Sequence, residues 1–335
     1  MSTTDTTCEA AAGAAALSSS VTTWVWQALL YVLALPTLVY VVTYLLPQIY
    51  MCLRPVPNLK KRYGAEWALV TGGGSGIGRA LAFTLAGQGL NVIVVSLDDD
   101  LLRQTMKDLQ SAFPELQFRS VGVSFSPTVD YMKAIRKATA DIDVVPIIFN
   151  NAGFMVTGFF DQAPVEKLLA NMECNATACV KISHYFLQKM VSQKRRGCVV
   201  FTSSVAGFIP TPFAVMYAST KAFVSQFAAS LHIENKPLGI DVCAIHPSPV
   251  KSQFYSNLDH KVDLIQAAAA NAVRPEDITS DILRSVGVCA YRDLGALAWS
   301  TRLGTFFLPY NLFAELFAAA APYMPDWKTH NQHRK

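Results

Sequence analysis

The chain has 335 residues, enough for one α/β domain of roughly 250 residues with an appended segment. Hydrophobic residues make up 52% of it and charged residues only 16%, against about 25% charged in soluble domains, so part of the chain is expected to lie outside water. The net charge of +4 gives no indication of a nucleic-acid-binding surface, and no nucleic-acid partner is expected.

The first predicted element is a transmembrane helix at residues 24–46. No charged residue occurs between Glu9 and Arg54, and about 20 apolar residues suffice to cross a bilayer as a helix. A cleaved signal peptide is the main alternative, but it would need a basic leader, and the leader here carries Asp5 and Glu9 instead. Residues 1–23 are therefore expected to form a short tail before the span.

Basic residues follow the span in a predicted linker at residues 47–65; they are Arg54, Lys60, Lys61 and Arg62. The positive-inside rule places this side of the membrane in the cytosol, so the protein is expected to cross once, with its tail in the lumen. Seven cysteines at irregular spacing, with no C-x-x-C pair, agree with a reducing compartment. They have no ligand-like spacing either, and no metal site is expected.

Between residues 66 and 290 short apolar runs alternate with stretches of helical periodicity. The runs predict six buried strands: Trp67–Thr71, Asn91–Ser96, Phe118–Val123, Val144–Asn150, Cys198–Ser203 and Ile240–His246. The predicted helices between them include Arg79–Gln88, Leu101–Phe113, Val129–Ala140, Asn175–Val191 and Met216–Ile233. Apolar strands separated by helices predict an α/β fold with a doubly wound parallel sheet, which binds its ligand at the carboxyl ends of the strands.

A glycine-rich turn, TGGGSGIG from Thr71 to Gly78, joins the first strand to the first helix of this domain. Glycines keep such a turn tight and let backbone N–H groups approach a pyrophosphate, to which the helix N-terminus adds a partial positive charge. A glycine cluster alone would also fit an ordinary turn. Its place between a buried strand and a helix favours a phosphate-binding role.

A second group of polar residues is predicted at the same edge of the sheet. Tyr217 and Lys221 are four residues apart and share one face of a helix. A nearby ammonium group lowers the pKa of a tyrosine, which is about 10 in the free side chain, and so eases proton exchange. Ser204 ends the fifth strand and Asn151 ends the fourth, within the segment NNAG, so both are expected in the same crevice.

Taken in order, TGGGSGIG, NNAG, Asn175, Ser204 and the segment YASTK from Tyr217 to Lys221 resemble the short-chain dehydrogenase/reductase family over residues 66–287. The resemblance implies a Rossmann fold and hydride transfer between a nicotinamide cofactor and a carbonyl or alcohol carbon. It implies that Tyr217 exchanges a proton with the substrate oxygen and that Lys221 lowers the pKa of Tyr217 and binds the nicotinamide ribose. Ser204 would orient the carbonyl, and Asn175 would hold a water that relays protons to Lys221. The cofactor-binding residues implied are Gly72, Ser75, Gly76, Ile77, Gly78, Leu97, Asn151 and Val250, together with Tyr217 and Lys221.

The predicted span, the basic linker and the segment YGAEWALVTG, which starts at Tyr63, narrow the resemblance. They are similar to the branch of very-long-chain 3-oxoacyl-CoA reductases and 17β-hydroxysteroid dehydrogenases. The branch implies a lipid substrate, most simply a 3-oxoacyl-CoA, the endoplasmic reticulum membrane, and a homodimer formed by the helices near residues 175–191 and 216–233. The alternatives are a steroid, retinoid or 3-ketosphinganine oxidoreductase and, in another class, a membrane scaffold that binds a nucleotide without chemistry.

The residues expected around the adenosine ribose depart from the family pattern. An Asp at the end of the second strand selects NAD, whereas a basic residue accommodates the phosphate of NADP. Here Leu97 occupies that position and is followed by Asp98, Asp99 and Asp100, with Arg103 nearby. The branch resemblance favours NADP(H), while the local residues lean towards NAD(H).

The last predicted region, residues 291–335, is an apolar extension. Its stretch Leu303–Met324 is interrupted by Pro309 and Glu315, which favours a helix at the membrane interface or over the pocket rather than a second span. Before it, the apolar segment 251–273 is expected to cover the substrate, and it equally fits a peripheral helix packed on the core.

Overall fold

The computed structural model describes residues 4–255, 258, 260, 262–270 and 272–331. The chain divides into two units, Met1–Tyr50 and Met51–Lys335. The first is formed by helix α1 (Thr4–Leu53), whose segment Ser20–Leu53 is 34 residues long, with a mean hydropathy of 2.1 and none of its apolar window buried. At about 1.5 Å per residue this segment is longer than the roughly 30 Å of a bilayer core, so it is a candidate membrane span.

The second unit is built on a parallel seven-stranded sheet. Its strands are β1 (Trp67–Thr71), β2 (Asn91–Ser96), β3 (Phe118–Gly122), β4 (Ile147–Asn150), β5 (Gly197–Thr202), β6 (Ile240–Pro247) and β7 (Tyr291–Leu294). They lie in the order β3-β2-β1-β4-β5-β6-β7, which confirms the predicted doubly wound sheet. The chain reverses its direction of growth between β1 and β4, and ligands of such sheets bind at the carboxyl ends of the strands at this point.

Helices cover both faces of the sheet. After α1 they are α2 (Leu59–Tyr63), α3 (Gly76–Ala86), α4 (Asp100–Ala112), α5 (Tyr131–Ala138), α6 (Val165–Met172), α7 (Ala178–Ser192), α8 (Val215–Asn235), α9 (Asp263–Ala269), α10 (Pro275–Ser285), α11 (Ala296–Phe307), α12 (Tyr310–Ala320) and α13 (Pro325–His330). Helices α2, α3, α4 and α10 contribute to the core on one face, and α5, α7 and α8 to the core on the other. The two apolar layers explain why the strands are continuously hydrophobic.

Strand β7 is not among the six predicted strands, because its centre is charged. Arg292 and Asp293 are nevertheless buried, at 2% and 1% exposure. Asp293 is paired with His246 in the register of β6 and β7 and lies 3.1 Å from its Nδ1 atom, while Arg292 donates to the Cys52 sulfur at 3.4 Å. The sheet therefore extends past residue 290, where the sequence analysis ends the catalytic domain.

The segment expected as a basic linker, residues 47–65, packs on the sheet in its second half. Leu59 is fully buried, and the Tyr63 hydroxyl donates a hydrogen bond to Asp241 at 2.7 Å. Arg62 forms an ion pair with the same carboxylate at 2.9 Å. One of the basic residues that indicated membrane topology is thus also part of the fold, at the start of β6.

The C-terminal helices α11 and α12 are apolar but do not form one straight segment. Together they have the length and composition of a span, yet they meet at an angle of 108°. Helix α12 contains no buried residue. It is nevertheless mostly apolar, since Glu315 is its single charged residue. The predicted stretch Leu303–Met324 is therefore a bent pair of helices with an exposed apolar surface.

Candidate active site

A cavity of about 570 Å³ opens at the carboxyl ends of the central strands. The predicted residues that line it are Gly72, Ser75, Gly76, Ile77, Leu97, Asn151, Ser204, Tyr217, Lys221 and Val250. Gly78 and Asn175 do not line the cavity, but each contacts a residue that does. The structure therefore brings the predicted catalytic and cofactor-binding residues together, as expected for side chains at one edge of a parallel sheet.

The glycine-rich turn has no room for side chains. Gly72 has a φ of +65°, and a Cβ atom on it would lie 2.8 Å from Ala152 Cα. A Cβ atom on Gly78 would lie 2.7 Å from Asn151 Nδ2. Ser75 precedes α3 without a capping hydrogen bond from its side chain, which leaves the first N–H groups of the helix for a ligand. The turn therefore fits the pyrophosphate of a dinucleotide.

Asn151, which follows β4, forms hydrogen bonds with the last residues of β1 and β5. Its Nδ2 group donates to the Thr71 carbonyl at 3.2 Å, and its main-chain N–H donates to Thr71 Oγ1 at 2.9 Å. Its Oδ1 atom accepts a hydrogen bond from Thr202 Oγ1 at 3.1 Å. The sequence analysis missed the role of Thr71, because in the sequence it is simply the last residue of an apolar strand.

Tyr217 and Ser204 meet inside the cavity. The Ser204 oxygen accepts a hydrogen bond from the Ala206 N–H at 3.2 Å, which fixes the turn after β5. Tyr217 lines the cavity together with Ser204 and is 7% exposed near the start of α8. Burial raises the pKa of Tyr217, and the hydrogen bond with Ser204 opposes that shift. Such a pair can hold a carbonyl oxygen between a protonated phenol and a serine hydroxyl.

Lys221 lies one helical turn after Tyr217 and is 4% exposed. Its Nζ atom donates to the Thr202 carbonyl at 2.7 Å and lies 5.6 Å from the centre of the Tyr217 ring. Burial lowers the pKa of Lys221, and the thiols of Cys179 and Cys174 act in the opposite direction. The role of Lys221 in lowering the pKa of Tyr217 stays a prediction; in this structure burial is the largest influence on the pKa of Tyr217 and raises it.

Asn175 lies in a π-helical turn before α7 and is fully buried. Its Oδ1 atom accepts a hydrogen bond from the Phe154 N–H at 3.0 Å, and its Nδ2 group donates to the Phe154 carbonyl at 2.9 Å and to Thr220 Oγ1 at 3.2 Å. A Cβ atom on Gly153 would lie 3.1 Å from Asn175 Oδ1 and 3.3 Å from Lys221 Nζ. The main-chain carbonyl of Asn175 also accepts a hydrogen bond, from the Cys179 thiol at 3.4 Å, and the water expected at Asn175 stays a prediction.

Aromatic residues from the predicted cover line the cavity beside Tyr217. The Phe254 ring lies 5.5 Å from the Tyr217 ring and belongs to the apolar cluster of Met155. Tyr255 also lines the cavity, and burial raises its pKa to about 12. These side chains make the wall apolar. The predicted cover also includes residues 256, 257, 259, 261 and 271, which lie outside the described residues.

The three aspartates after β2 are held by local contacts. Asp99 caps α4 by accepting a hydrogen bond from a backbone N–H of its first turn, at 2.9 Å. Asp98 and Asp100 each lie 3.0 Å from Arg103, and their side chains are 74% and 100% exposed. Leu97 lines the cavity. The position expected to select between NAD and NADP is therefore uncharged, and two of the carboxylates beside it are paired.

Comparison with known proteins agrees with this geometry. The sequence profile of the short chain dehydrogenase family matches residues 66–263. A very-long-chain 3-oxoacyl-CoA reductase-like protein of Arabidopsis thaliana is 33% identical over 205 residues, which cover 60% of this chain and 65% of that protein. A very-long-chain 3-oxoacyl-CoA reductase of Pyrenophora tritici-repentis is 30% identical over 248 residues, which cover 72% of this chain and 70% of that protein. The chain thus spans about two thirds of the length of these curated relatives.

A solved 7β-hydroxysteroid dehydrogenase has the same fold, with a TM-score of 0.66 at 22% identity; the match covers 76% of this chain and 96% of that chain. The two curated relatives confirm the resemblance to the very-long-chain 3-oxoacyl-CoA reductase branch. On the family profile, the fold and the cavity, the chain belongs to the short-chain dehydrogenase family and is a nicotinamide-dependent oxidoreductase.

Proposed function

We propose that this oxidoreductase reduces long-chain 3-oxoacyl-CoA substrates with NADP(H) at the endoplasmic reticulum membrane. The observation that carries the proposal is that Tyr217, Ser204 and Lys221 line one cavity together with the apolar side chains of Met155 and Phe254. The names of the two relatives support the substrate class.

The proposed reaction divides the work at the substrate oxygen among four side chains. The bound nicotinamide supplies the hydride for the carbonyl carbon. Tyr217 donates its hydroxyl proton to the oxygen, and Ser204 donates a hydrogen bond that holds the oxygen against Tyr217. Lys221 keeps a positive charge near the phenolate that remains after proton transfer. Asn175 positions the segment beside the cofactor and holds the water through which Lys221 exchanges protons.

The apolar wall formed by Met155 and Phe254 supports a substrate with a hydrocarbon chain. Each buried methylene contributes about 0.8 kcal/mol. We therefore expect substrates with longer acyl chains to bind more tightly and to show a lower KM, until the chain extends beyond the pocket.

NADP(H) is the proposed cofactor, although Leu97 provides neither of the usual groups. A leucine cannot accept a hydrogen bond from the ribose 2′-hydroxyl, which the acidic residue of NAD-dependent enzymes does. Arg103 pairs with both Asp98 and Asp100 and offsets one of their two negative charges, so they repel a 2′-phosphate less than their number implies. The guanidinium of Arg103, whose side chain is 55% exposed, is the proposed partner of such a phosphate.

The proposed topology is a single crossing of the membrane by residues 24–46, within the apolar helical segment Ser20–Leu53, with the tail of residues 1–23 in the lumen and the catalytic unit in the cytosol. The C-terminal helix α12 is proposed to lie in the membrane interface. Tyr310, Leu312 and Leu316 on it are 64%, 48% and 53% exposed. A helix that is apolar on all sides is stable when lipid or protein covers it.

A homodimer formed through α7 and α8 is also proposed. Phe223 and Ile233 on α8 are 45% and 74% exposed, and Val191 on α7 is 43% exposed. Exposed apolar side chains on two helices of one sheet face support a protein interface there.

Absorbance of the reduced nicotinamide tests the reaction. Detergent-solubilised full-length protein is mixed with a long-chain 3-oxoacyl-CoA and either NADPH or NADH, and NADPH is expected to be oxidised faster. We predict that Tyr217→Phe lowers kcat by about 10²–10⁴-fold, because it removes the proton donor. Tyr255→Phe is the matched control, since Tyr255 lines the same cavity and carries no proposed chemistry.

Equal losses in the two variants would contradict the role of Tyr217. No oxidation with either cofactor would exclude the acyl-CoA substrate, and steroids, retinoids and 3-ketosphinganine would be tested next. Cofactor binding without turnover on that panel would favour a scaffold protein.

A further inference from the structure

A buried cluster of charged residues lies at the carboxyl ends of β6 and β7, beside the candidate active site. His246 and Asp293 are each 1% exposed, and His246 Nδ1 lies 3.1 Å from Asp293 Oδ1. Arg302 of α11 approaches Asp293 from the other side, with its Nε atom 3.0 Å from Asp293 Oδ2 and its second nitrogen 3.1 Å from Oδ1. None of these three residues lines the cavity, so the proposed chemistry does not use them directly.

Hydrogen bonds connect this cluster to the helix that carries Lys221. His246 Nε2 lies 2.9 Å from Ser225 Oγ, and Ser225 lies one turn after Lys221 on α8. The Ser225 and Ser203 hydroxyls lie 2.8 Å apart, and each lies within 2.9 Å of the Lys221 carbonyl. Ser203 lies between Thr202 and Ser204 in the chain. The Thr202 carbonyl accepts a hydrogen bond from Lys221 Nζ. The cluster is therefore connected to the main-chain carbonyl of Lys221 and to the residue that precedes Ser204.

Arg302 reaches the same region by a second route. Its guanidinium carbon lies 3.7 Å from the centre of the Phe208 ring, and Phe208 follows the turn that begins after Ser204. The Phe208 ring also packs edge-on against His246, with the ring centres 5.5 Å apart. One residue of α11 thus contacts both Asp293 and the loop that presents Ser204.

The order Ser225–His246–Asp293 is also that of a hydrolase triad, and this alternative is excluded by position. Ser225 is 8% exposed and does not line the cavity. Its hydroxyl is surrounded by the Ser203 hydroxyl and the Lys221 carbonyl, so a substrate carbonyl has no path to it. The cluster is therefore suited to holding the active site in place.

We propose that Arg302, Asp293 and His246 are positioning residues for the oxidoreductase reaction, acting through Ser225 and Phe208 on Lys221 and Ser204. Asp293 and Arg302 lie beyond the family match, which ends at residue 263. The part of the chain that follows residue 263 therefore supplies two of the three proposed positioning residues.

Arg302→Met and Arg302→Lys, made in the full-length protein, test the proposal. Arg62→Met is the matched control, because Arg62 pairs with Asp241, a buried aspartate at the opposite end of β6. Each methionine variant removes one ion-pair partner from a buried aspartate of the sheet: Arg62→Met from Asp241 and Arg302→Met from Asp293. Only Asp293 belongs to the cluster that is connected to Lys221. Hydrogen exchange of the cofactor-bound protein and steady-state kinetics are measured for all variants.

We expect Arg302→Met to speed exchange in peptides covering residues 202–225 and to lower kcat by about 10- to 100-fold, with little change in KM, since misplaced groups cost rate rather than affinity. Arg302→Lys is expected to recover part of kcat. Arg62→Met should leave kcat, and the exchange of the peptides covering residues 202–225, near their wild-type values.

Unchanged exchange at residues 202–225 in Arg302→Met would overturn the proposal, as would equal losses of kcat in Arg302→Met and Arg62→Met. The kinetic measurement depends on the proposed substrate, whereas hydrogen exchange does not. A wild-type protein that is inactive on 3-oxoacyl-CoA would thus refute the proposed function and leave the positioning role to be decided by exchange.

Discussion

The ionisation of Tyr217 leads to a prediction about pH. Burial raises the pKa of this phenol more than the hydrogen bond with Ser204 lowers it, so Tyr217 stays protonated at neutral pH. Reduction needs the protonated form, and its kcat is expected to be constant between about pH 6 and 8. Alcohol oxidation needs the phenolate, and its kcat is expected to rise with pH by up to about tenfold per unit.

Rates in both directions, with 3-oxoacyl-CoA and 3-hydroxyacyl-CoA, provide the measurement. Ser204→Ala removes the hydrogen bond that lowers the pKa of Tyr217, so the oxidation profile should move to higher pH. Ser126→Ala, at another serine lining the cavity, should leave the profile in place. An oxidation rate independent of pH would show that Tyr217 does not set the protonation step.

Leu97 leads to a prediction about cofactor choice. Leu97→Asp is expected to lower kcat/KM with NADPH by roughly tenfold or more, because charges at partly exposed sites interact by about 1–4 kcal/mol. The same change should improve NADH by supplying an acceptor for the ribose 2′-hydroxyl. Leu97→Asn, which adds a polar side chain without charge, is the control. Equal effects of Leu97→Asp on kcat/KM with NADPH and with NADH would show that the 2′-position of the adenosine ribose does not lie beside Leu97.

At the residue scale, the sequence predicted which residues lie together where their spacing places them on the same face of a helix. Tyr217 and Lys221 could be predicted because a separation of four sets them on one helix face. The raised pKa of Tyr217 could not, since burial depends on how Phe254 and Ser204 pack around it. The pairing of His246 with Asp293 could not be predicted either, because the two residues lie on different strands and are distant in the sequence.

At the scale of elements, the short helix α13 holds the cover of the pocket. Trp327 packs edge-on against Phe159, with ring centres 5.2 Å apart, and Asp326 accepts a hydrogen bond from the Asp263 N–H at 2.7 Å. Helix α9 begins at Asp263, and its Ile265 packs against the cluster that contains Tyr217. The C-terminal end of the chain thereby reaches the substrate side of the cavity.

Removing this support is expected to weaken substrate binding. We predict that Trp327→Ala raises KM for the acyl substrate by about 3- to 10-fold, with a smaller effect on kcat, because an aromatic pair contributes about 0.5–1.5 kcal/mol. Lys328→Ala, at an exposed neighbour on α13, is the control. Kinetics at saturating cofactor give both constants. A change in kcat alone would argue that α13 acts on the catalytic residues instead.

Elements were predictable where hydrophobicity alone specified them. Strands β1 and β2 have their predicted bounds, because every residue between their ends is apolar. Strand β7 could not be predicted, since Arg292 and Asp293 are buried through partners from other elements. The π-helical turn at Asn175 also has no local signal, because its irregular hydrogen bonds depend on contacts with Phe154 and Thr220.

In the whole molecule, the region after residue 263, where the family match ends, contains one helix that contacts the sheet and one helix that has no buried residue. Helix α11 contributes Arg302 to a buried ion pair with Asp293, whereas α12 has no buried residue. Sequence composition could not separate the two helices, since both lie in one apolar stretch. The bend of 108° between them separates a helix that contacts the sheet from a helix whose apolar surface is open.

The exposed surface of α12 leads to a prediction about membrane binding without the N-terminal span. A protein of residues 51–335, the second unit of the chain, is expected to sediment with phospholipid vesicles. Leu316→Asp should lower its partition coefficient by roughly tenfold, because it removes an apolar side chain of about 1.5–3 kcal/mol from the interface. Leu238→Asp is the control, since Leu238 is 52% exposed and Leu316 is 53% exposed. Thermal unfolding should be the same for both variants, so that a difference in sedimentation reports on lipid. Equal sedimentation of the two would show that α12 does not contact the membrane, and its apolar surface would then need a protein partner.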